Sequence, residues 1–260
     1  MILIGYDSVI HDQGFTGIPG RHHFHLKPGI RKDKYRKQAC NVAVSPVTGP
    51  VFPFVITPLA GSDTTEATRC YADVFLNHEP MTRYCRISPD LFFPPARVYV
   101  TLCARDSLSF IARDTISGDL AGFVFCSDLA TDWSSRDPLM ADMFSLFNEI
   151  TCILGRLEQC YREDFPIGPG ESLHLFQVGT TPRFQGKGVA KAMVMAAVDH
   201  ARTRGFSYAL AECTSPASLE LFLSCGFFEA YVVPFRDFSV EETCYFKDLP
   251  GEITLMVREL

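Results

Sequence analysis

The pattern of apolar and polar positions changes at about residue 51. Beyond it, short runs of dense or alternating apolar residues predict strands, and longer stretches with apolar residues at every third or fourth place predict helices. The predicted strands cover 51–59, the two arms of a hairpin in 107–129 that turns at Asp114 to Gly118, 171–181, 206–213, 227–235 and 252–260. The predicted helices cover 61–81, about 138–161, 186–205 and 215–226.

Two of these helices begin with clear signals. Ser62 is the expected N-cap of the first helix, with Glu66 in its opening turns. Ser215 is the expected N-cap of the last helix, with Pro216 at its first position and Gly226 after its end. These signals place polar side chains at the ends of helices, where unpaired backbone groups need partners.

The order of elements mixes hairpins with helical crossovers, which predicts an α/β (α+β) domain over 51–260, with a mixed sheet covered by helices. Residues 1–50 lack periodicity and have seven Lys/Arg against three Asp, a net charge of +4, whereas the whole chain has −6. We expect a basic N-terminal extension that folds back onto an acidic body. It lacks the interleaved aromatic residues of a nucleic-acid site, so no nucleic-acid partner is expected.

The composition of the chain indicates the cellular compartment of the protein. The ten cysteines are scattered singly with no CxxC pair, as expected of reduced thiols in a cytoplasmic protein. No apolar run reaches transmembrane length, and the first residues lack the basic start of a signal peptide, so no membrane partner is expected. The run His22–His25 has no Cys, Asp or second His cluster at a suitable spacing, so no metal site is expected.

A glycine pair lies between a predicted strand and a predicted helix, in the run "QGKGVA". Successive glycines leave backbone N–H groups free to point at a diphosphate, and the following helix adds the positive end of its dipole. A dinucleotide-binding loop needs Gly or Ala where Lys191 stands, and the Walker pattern is absent. The run fits Gln/Arg-x-x-Gly-x-Gly/Ala throughout.

That pattern resembles the diphosphate loop of the GNAT superfamily of N-acetyltransferases. The later run Leu221-Phe222-x-x-x-Gly226-Phe227 resembles the same superfamily's Leu-Tyr-x-x-x-Gly-Phe pattern, in the expected order and on the expected elements. The resemblance implies the GNAT fold: a mixed, mostly antiparallel central sheet with a splayed parallel strand pair, flanked by helices. It also implies acetyl-CoA as the co-substrate.

The resemblance further implies which residues contact the co-substrate. The strand before the loop would bind the pantetheine arm and the thioester oxygen through its exposed amides. The residues implied there are Phe176, Val178 and Thr180. The diphosphate would be bound mainly by main-chain N–H groups of Gln185, Gly186, Lys187, Gly188, Val189 and Ala190.

The segment "VFLNHEPMTRY" (74–84) resembles the insect arylalkylamine (dopamine) N-acetyltransferases. Their proposed general base falls on Glu79, and their two Ser/Thr hydroxyls, four residues apart, fall on Thr214 and Ser218. Phe222 replaces the tyrosine that many GNAT enzymes use as general acid, so Ser218, Thr214 or water must protonate the departing thiolate. His174 competes with Glu79 as base, because the vertebrate arylalkylamine enzyme resembles this stretch and histidine titrates near neutral pH.

The sequence therefore predicts direct acetyl transfer from acetyl-CoA to a small primary amine, arylalkylamine or polyamine-like, by a monomer or weak homodimer. Alternative acceptors are a protein N-terminus, a lysine or an aminoglycoside, and a catalytically silent acyl-CoA-binding module is a further alternative. The helix at 138–161 forms either a lid or an interface. Seven aromatic residues either line the amine site or belong to the core: Phe75, Phe92, Phe93, Phe144, Phe147, Tyr231 and Phe235.

Overall fold

The computed structural model describes residues 53–165, 167–240 and 243–260. The basic extension predicted for 1–50 and the His22–His25 run lie outside the described residues. The domain boundary at 51 therefore stays a prediction.

Within the described residues, the main sheet has seven strands in the order β1-β2-β3-β4-β5-β9-β6, and a two-stranded ribbon pairs β7 with β8. The strands are β1 (Phe54–Pro58), β2 (Phe110–Asp114), β3 (Leu120–Asp128), β4 (Ser172–Thr180), β5 (Tyr208–Cys213), β6 (Phe228–Pro234), β7 (Ser239–Val240), β8 (Thr243–Cys244) and β9 (Glu252–Glu259). All neighbouring strands are antiparallel except β4 and β5, which are parallel. The predicted fold class, a mixed and mostly antiparallel sheet, is confirmed.

Helices cover both faces of this sheet. They are α1 (Thr64–His78), α2 (Pro80–Cys85), α3 (Pro89–Asp106), α4 (Trp133–Arg136), α5 (Pro138–Leu146), α6 (Asn148–Asp164), α7 (Val189–Thr203) and α8 (Pro216–Ser224). One apolar core lies between the sheet and α1, α3, α5 and α6, and a second lies between the opposite face and α7 and α8. Successive side chains of β4 point to opposite faces of the sheet, so this strand contributes to both cores. Phe176 packs against the first core and Leu175 belongs to the second.

The parallel pair β4–β5 diverges soon after it begins. Its pairing comprises three residue pairs, of which the last is His174 with Leu210, while β4 continues to Thr180 and β5 to Cys213. In the same stretch the β3–β4 register shifts, so that Phe176 is left out of the pairing with β3. The splayed parallel pair expected from the resemblance is therefore present, with a bulge at its opening.

The first helix begins and ends differently from its prediction. Ser62 is not an N-cap, because it lies in a 3-10 turn over Gly61–Asp63 and α1 begins at Thr64. The helix predicted for 61–81 also stops at His78, because Glu79 is extended (φ −77°, ψ 125°) and Pro80 starts a new helix. A residue before proline avoids helical geometry, which explains the break. By contrast, Ser215 is the N-cap of α8 as predicted, accepting a hydrogen bond from the Ser218 N–H.

The single helix predicted for about 138–161 is two helices. Phe147 (φ −105°, ψ 31°) separates α5 from α6, and its ring packs edge-on against buried Phe92 at 5.8 Å. Neither flank contains Pro or Gly at the break, so a local breaking signal is missing there. The break places the end of α5 and the start of α6 beside the opening between β4 and β5.

Candidate active site

A cavity of about 220 Å³ lies where β4 and β5 diverge. Its walls come from the α1–α2 turn, the α5–α6 junction, strands β4 and β5, and the start of α8. The lining residues are Tyr71, Val74, Phe75, His78, Glu79, Pro80, Met81, Thr82, Met143, Phe144, Phe147, Ile150, Leu154, Leu175, Phe176, Gln177, Val178, Glu212, Thr214, Ser215, Ser218 and Phe222. The segment around 138–161 thus forms a wall of this cavity.

Glu79 is fixed at the cavity wall by three hydrogen bonds. As the N-cap of α2 it accepts from the N–H of Met81 at 3.1 Å and from the N–H of Thr82 at 2.6 Å. The Thr214 hydroxyl donates to Oε1 of Glu79 at 2.8 Å, the same oxygen that accepts from the Met81 N–H. The carboxylate therefore joins the beginning of α2 to the end of β5, and its orientation is set before any ligand binds.

The two predicted hydroxyl residues lie at the same wall. Ser218 is held by a reciprocal capping arrangement with Ser215: the Ser218 N–H donates to Ser215 Oγ at 3.3 Å, and the Ser215 N–H donates to Ser218 Oγ at 3.2 Å. The Ser218 hydroxyl donates to the Ser215 carbonyl at 2.9 Å. The structure thus brings Glu79, Thr214 and Ser218 together around one cavity, although they are far apart in the chain.

His174 occupies a different environment. It is 1% exposed and is not among the residues that line the cavity. Its Nε2 lies 2.7 Å from Oε2 of Glu212, and Glu212 does line the cavity. Burial lowers the pKa of His174 below its ordinary value of 6.5, although the negative charge of Glu212 acts in the opposite direction and raises it. The ring is therefore neutral at pH 7. Burial raises the pKa of Glu212, but the contact with His174 outweighs this and the pKa is lowered, so the carboxylate is ionised.

Glu212 was missed by the sequence analysis. A signal was available, because an acidic residue interrupts the otherwise apolar strand "YALAEC". Leu210, Glu212 and Thr214 alternate along the strand, so they face the same side of the sheet. A charge inside a buried strand is costly, and such residues are often functional.

The strand expected beside the co-substrate lines the cavity with Phe176 and Val178. Two polar atoms here are buried with no hydrogen-bond partner among the described residues: Oγ1 of Thr180 and Oε1 of Gln177. Buried polar atoms usually have partners, and β4 beyond His174 also has its β5-facing edge open. This edge therefore fits a bound polar chain such as pantetheine, with Gln177 as a neighbour that the sequence analysis missed.

The glycine loop has the geometry that its sequence suggested. Gly186 (φ 72°) and Gly188 (φ 78°) both adopt the left-handed conformation that favours glycine, and α7 begins at the next residue, Val189. Residues 185–188 are exposed, while the side chain of Val189 is buried in the core. The Lys187 ammonium lies 5.2 Å from the ring of Phe184. The loop thus presents exposed backbone and a cation at the start of α7, which fits a diphosphate.

Three of the seven aromatic residues line the cavity, namely Phe75, Phe144 and Phe147. The other four do not line the cavity: Phe92 and Phe235 are buried in the core, Phe93 is exposed, and the Tyr231 hydroxyl donates to Asp164. Among the described residues that line the cavity there are two carboxylates, Glu79 and Glu212, and no Lys or Arg. The cavity is aromatic and negatively charged, which favours a cationic ligand.

Comparison with known proteins agrees with this geometry. The model of the Acetyltransferase (GNAT) family matches residues 68–227, so the chain belongs to that family. No curated protein matches it significantly. The family's enzymes take the acetyl group from acetyl-CoA, so the chain is an N-acetyltransferase with acetyl-CoA as co-substrate.

Several solved structures share the fold. The C-terminal condensation domain of Ebony, in complex with β-alanyl-dopamine, has a TM-score of 0.68 at 15% identity, covering 81% of this chain and 100% of that chain. Arylalkylamine N-acetyltransferase 2 from Aedes aegypti has a TM-score of 0.64 at 19% identity, covering 79% and 98%. The Drosophila melanogaster polyamine N-acetyltransferase has a TM-score of 0.62 at 15% identity, covering 80% and 100%. At sequence identities this low, the structural similarity shows a shared fold alone.

None of the helices among the described residues combines the length and apolarity needed to cross a membrane.

The lowered pKa of His174 predicts a pH dependence of stability. Below the ordinary pKa of 6.5 the unfolded chain binds a proton that buried His174 resists, so acidification favours the unfolded state. For the wild type, we expect this residue to cost up to about 1.4 kcal/mol of unfolding free energy per pH unit below that value. His174→Gln should lose less stability than the wild type between about pH 7.5 and about pH 5.5, as measured by urea unfolding. Equal losses in the two proteins would contradict the neutral, buried state of His174.

Proposed function

We propose that this enzyme acetylates a small primary amine, arylalkylamine or polyamine-like, by direct attack within a ternary complex with acetyl-CoA. The observation that carries the proposal is the cavity at the divergence of β4 and β5, where aromatic walls surround Glu79 and Glu212 with no described Lys or Arg in the lining. Small alkylamines are protonated at neutral pH and are attracted to such a site.

The structural neighbours support the same substrate class. One is an arylalkylamine N-acetyltransferase, one catalyses the formation of N-acetylagmatine, and one was solved with β-alanyl-dopamine. Each of these names a small amine or an amide made from one. The cavity of about 220 Å³ lies below the usual range for drug-sized ligands, which favours small molecules of this kind.

The proposed co-substrate site runs along β4 and ends at the glycine loop. The thioester and pantetheine are proposed to lie beside Phe176, Val178 and Thr180. The diphosphate is proposed to bind the backbone of Gln185, Gly186, Lys187, Gly188, Val189 and Ala190. Support comes from the open edge of β4, the unpartnered Thr180 hydroxyl and the left-handed glycines of the loop.

Glu79 is the proposed general base. It lines the cavity, whereas His174 reaches the cavity only through Glu212. Glu79 first takes a proton from the bound ammonium and releases it to solvent, which frees the nitrogen lone pair to attack the thioester carbon. The carbon–sulfur bond then breaks, and the second proton that the nitrogen loses as the amide forms goes to the departing sulfur. Thr214, hydrogen-bonded to Glu79, is placed to pass a proton on to the departing sulfur, with Ser218 as the second hydroxyl at the same wall. The phenyl ring of Phe222 has no proton to give.

We also propose a cytoplasmic location. The nine cysteines in the described part of the chain are all free thiols, and six of them are buried. Reduced thiols of this kind are usual in a reducing compartment. The oligomeric state, monomer or weak homodimer, stays a prediction.

The substrate class is tested by incubating the enzyme with acetyl-CoA and tyramine, serotonin, dopamine, agmatine, spermidine, kanamycin or a lysine peptide, and by following thiol release. We expect release with at least one of the small arylalkylamines or polyamines, because the cavity is small, aromatic and anionic. Thiol release with only the lysine peptide or kanamycin would show that the acceptor is a protein lysine or an aminoglycoside rather than a small arylalkylamine or polyamine. Binding of acetyl-CoA with no release from any amine would indicate a silent acyl-CoA-binding module.

The role of Glu79 is tested by Glu79→Gln, which keeps the shape of the side chain and removes the base. We expect kcat to fall about 100-fold or more, as is typical for loss of a general base, with the KM for acetyl-CoA little changed. Glu220→Gln, an exposed carboxylate of α8, is the matched control and should match the wild type. Wild-type kcat in Glu79→Gln, together with its loss in His174→Gln, would assign the base to the histidine.

The glycine loop is tested by Gly186→Ala against Gly118→Ala. Both glycines have a positive φ and open space around the missing Cβ, but Gly118 lies in the β2–β3 hairpin turn. Each alanine should cost about 1–2 kcal/mol of backbone strain. Only Gly186→Ala should raise the KM for acetyl-CoA, by roughly tenfold, because its backbone must relax away from the diphosphate-binding form. An equal KM in the two variants would remove this loop from the co-substrate site.

A further inference from the structure

Glu212 lies directly at the opening between β4 and β5. The parallel register pairs Leu173 with Ala209 and His174 with Leu210, so its continuation would place Glu212 opposite Phe176. Phe176 is the bulged residue of β4, at the point where the strands have separated. Glu212 therefore faces the part of β4 at which the thioester is proposed to bind.

The carboxylate of Glu212 is a buried charge that its protein contact does not neutralise. Its side chain is 7% exposed, it lines the cavity, and its Oε2 contacts His174 at 2.7 Å. His174 is neutral because it is fully buried, so it supplies a hydrogen bond and no positive charge. Glu158, the other acidic group near His174, is itself paired with Arg162. A buried anion of this kind is stabilised when a cation binds beside it.

Glu79 and Glu212 flank one space. Thr214, which is bonded to Glu79, stands two residues after Glu212, a separation of about 7 Å along an extended chain. Both carboxylates belong to the lining of the same cavity. An amine bound in this cavity therefore meets both carboxylates in its walls, beside the proposed thioester position on β4.

We propose that Glu212 binds the reacting nitrogen of the amine substrate, and that His174 is the positioning residue that holds the Glu212 carboxylate toward the cavity. The inference rests on the proposed function and adds to it the residue that recognises the amine. In this proposal the two carboxylates have different roles: Glu212 binds the amino group, and Glu79 receives its proton. It also gives His174 a role that acts through Glu212.

Glu212→Gln tests the binding role, with tyramine and agmatine as the amines. We expect the KM for each amine to rise about 10-fold to 100-fold, as for loss of a hydrogen bond to a charged group, with the KM for acetyl-CoA within about twofold of the wild type. The N-trimethylated derivative of tyramine cannot be acetylated, so its inhibition constant reports cation binding without proton transfer. That constant should also rise in Glu212→Gln, because the charge attraction to the carboxylate is lost, and stay near the wild-type value in Glu220→Gln.

The positioning role is tested by comparing His174→Gln, which keeps a hydrogen-bond donor, with His174→Leu, which has none. His174→Gln should retain most of the affinity for the amine, and His174→Leu should approach the KM of Glu212→Gln. Adding His174→Leu to Glu212→Gln should cause little further loss, because the two residues act as one unit. For each variant, binding of acetyl-CoA measured by calorimetry shows that the protein is folded. If His174→Leu does not fold, the test with Glu212→Gln is still valid.

Two outcomes would overturn the inference, and they are distinguishable. A wild-type KM for both amines and a wild-type inhibition constant in Glu212→Gln would show that Glu212 is only a structural partner of His174, while the proposed function remained intact. If the wild type bound acetyl-CoA but acetylated neither tyramine nor agmatine, the proposed function would fail for these amines and the inference would fail with it.

Discussion

The site depends on the early separation of β4 and β5. Three paired residues hold these strands in register, and after His174 and Leu210 their facing backbone groups have no strand partner in each other. Leaving such groups unpaired inside a domain is costly unless something else satisfies them. Acetyl-CoA is suited to that task, because its pantetheine arm has amide groups of its own. The gap in the sheet therefore supports the proposed co-substrate site, in which backbone groups make the contacts.

The other elements are arranged around this gap. The break before Pro80 turns Glu79 toward the end of β5, where the Thr214 hydroxyl fixes it. The α5–α6 junction supplies Phe144 and Phe147 to the cavity wall. Glu212 adds a second carboxylate and is ionised against a neutral histidine. Placing two negative charges in an aromatic cavity reduces stability in the free protein, a common compromise where a charged ligand must bind.

Much of this could be predicted from sequence, for reasons that particular residues show. The glycine loop and the pattern around Gly226 and Phe227 led to the family and the fold, since both depend on local backbone requirements. Ser215 was predictable as an N-cap because its signal is also local. The helix break at Phe147 was not, because tertiary contacts such as that with Phe92 decide it. Helix α3 has Pro94 and Pro95 within it, which hides it from rules based on helix breakers.

The site residues divide in the same way. Glu79, Thr214 and Ser218 were found through motifs, and the structure brings them to one cavity. Glu212 belongs to none of these motifs, and its position becomes meaningful only when β4 and β5 are seen to separate beside it. His174 illustrates the converse case, because its residue type suggested a base while its burial removes it from the lining. Sequence shows which residues have suitable chemistry, and the packing of the strands decides which of them reach the cavity.

A crystal structure with a bisubstrate analogue, in which the sulfur of CoA is joined through an acetyl bridge to the nitrogen of tyramine, tests the central claim most directly. The account predicts that the sulfur lies between β4 and β5, next to Phe176, and that the tyramine nitrogen, an amide in this analogue, lies within hydrogen-bond distance of Glu212, with Glu79 on its other side. A bridge located away from the divergence of β4 and β5, or a nitrogen that contacts neither carboxylate, would contradict it.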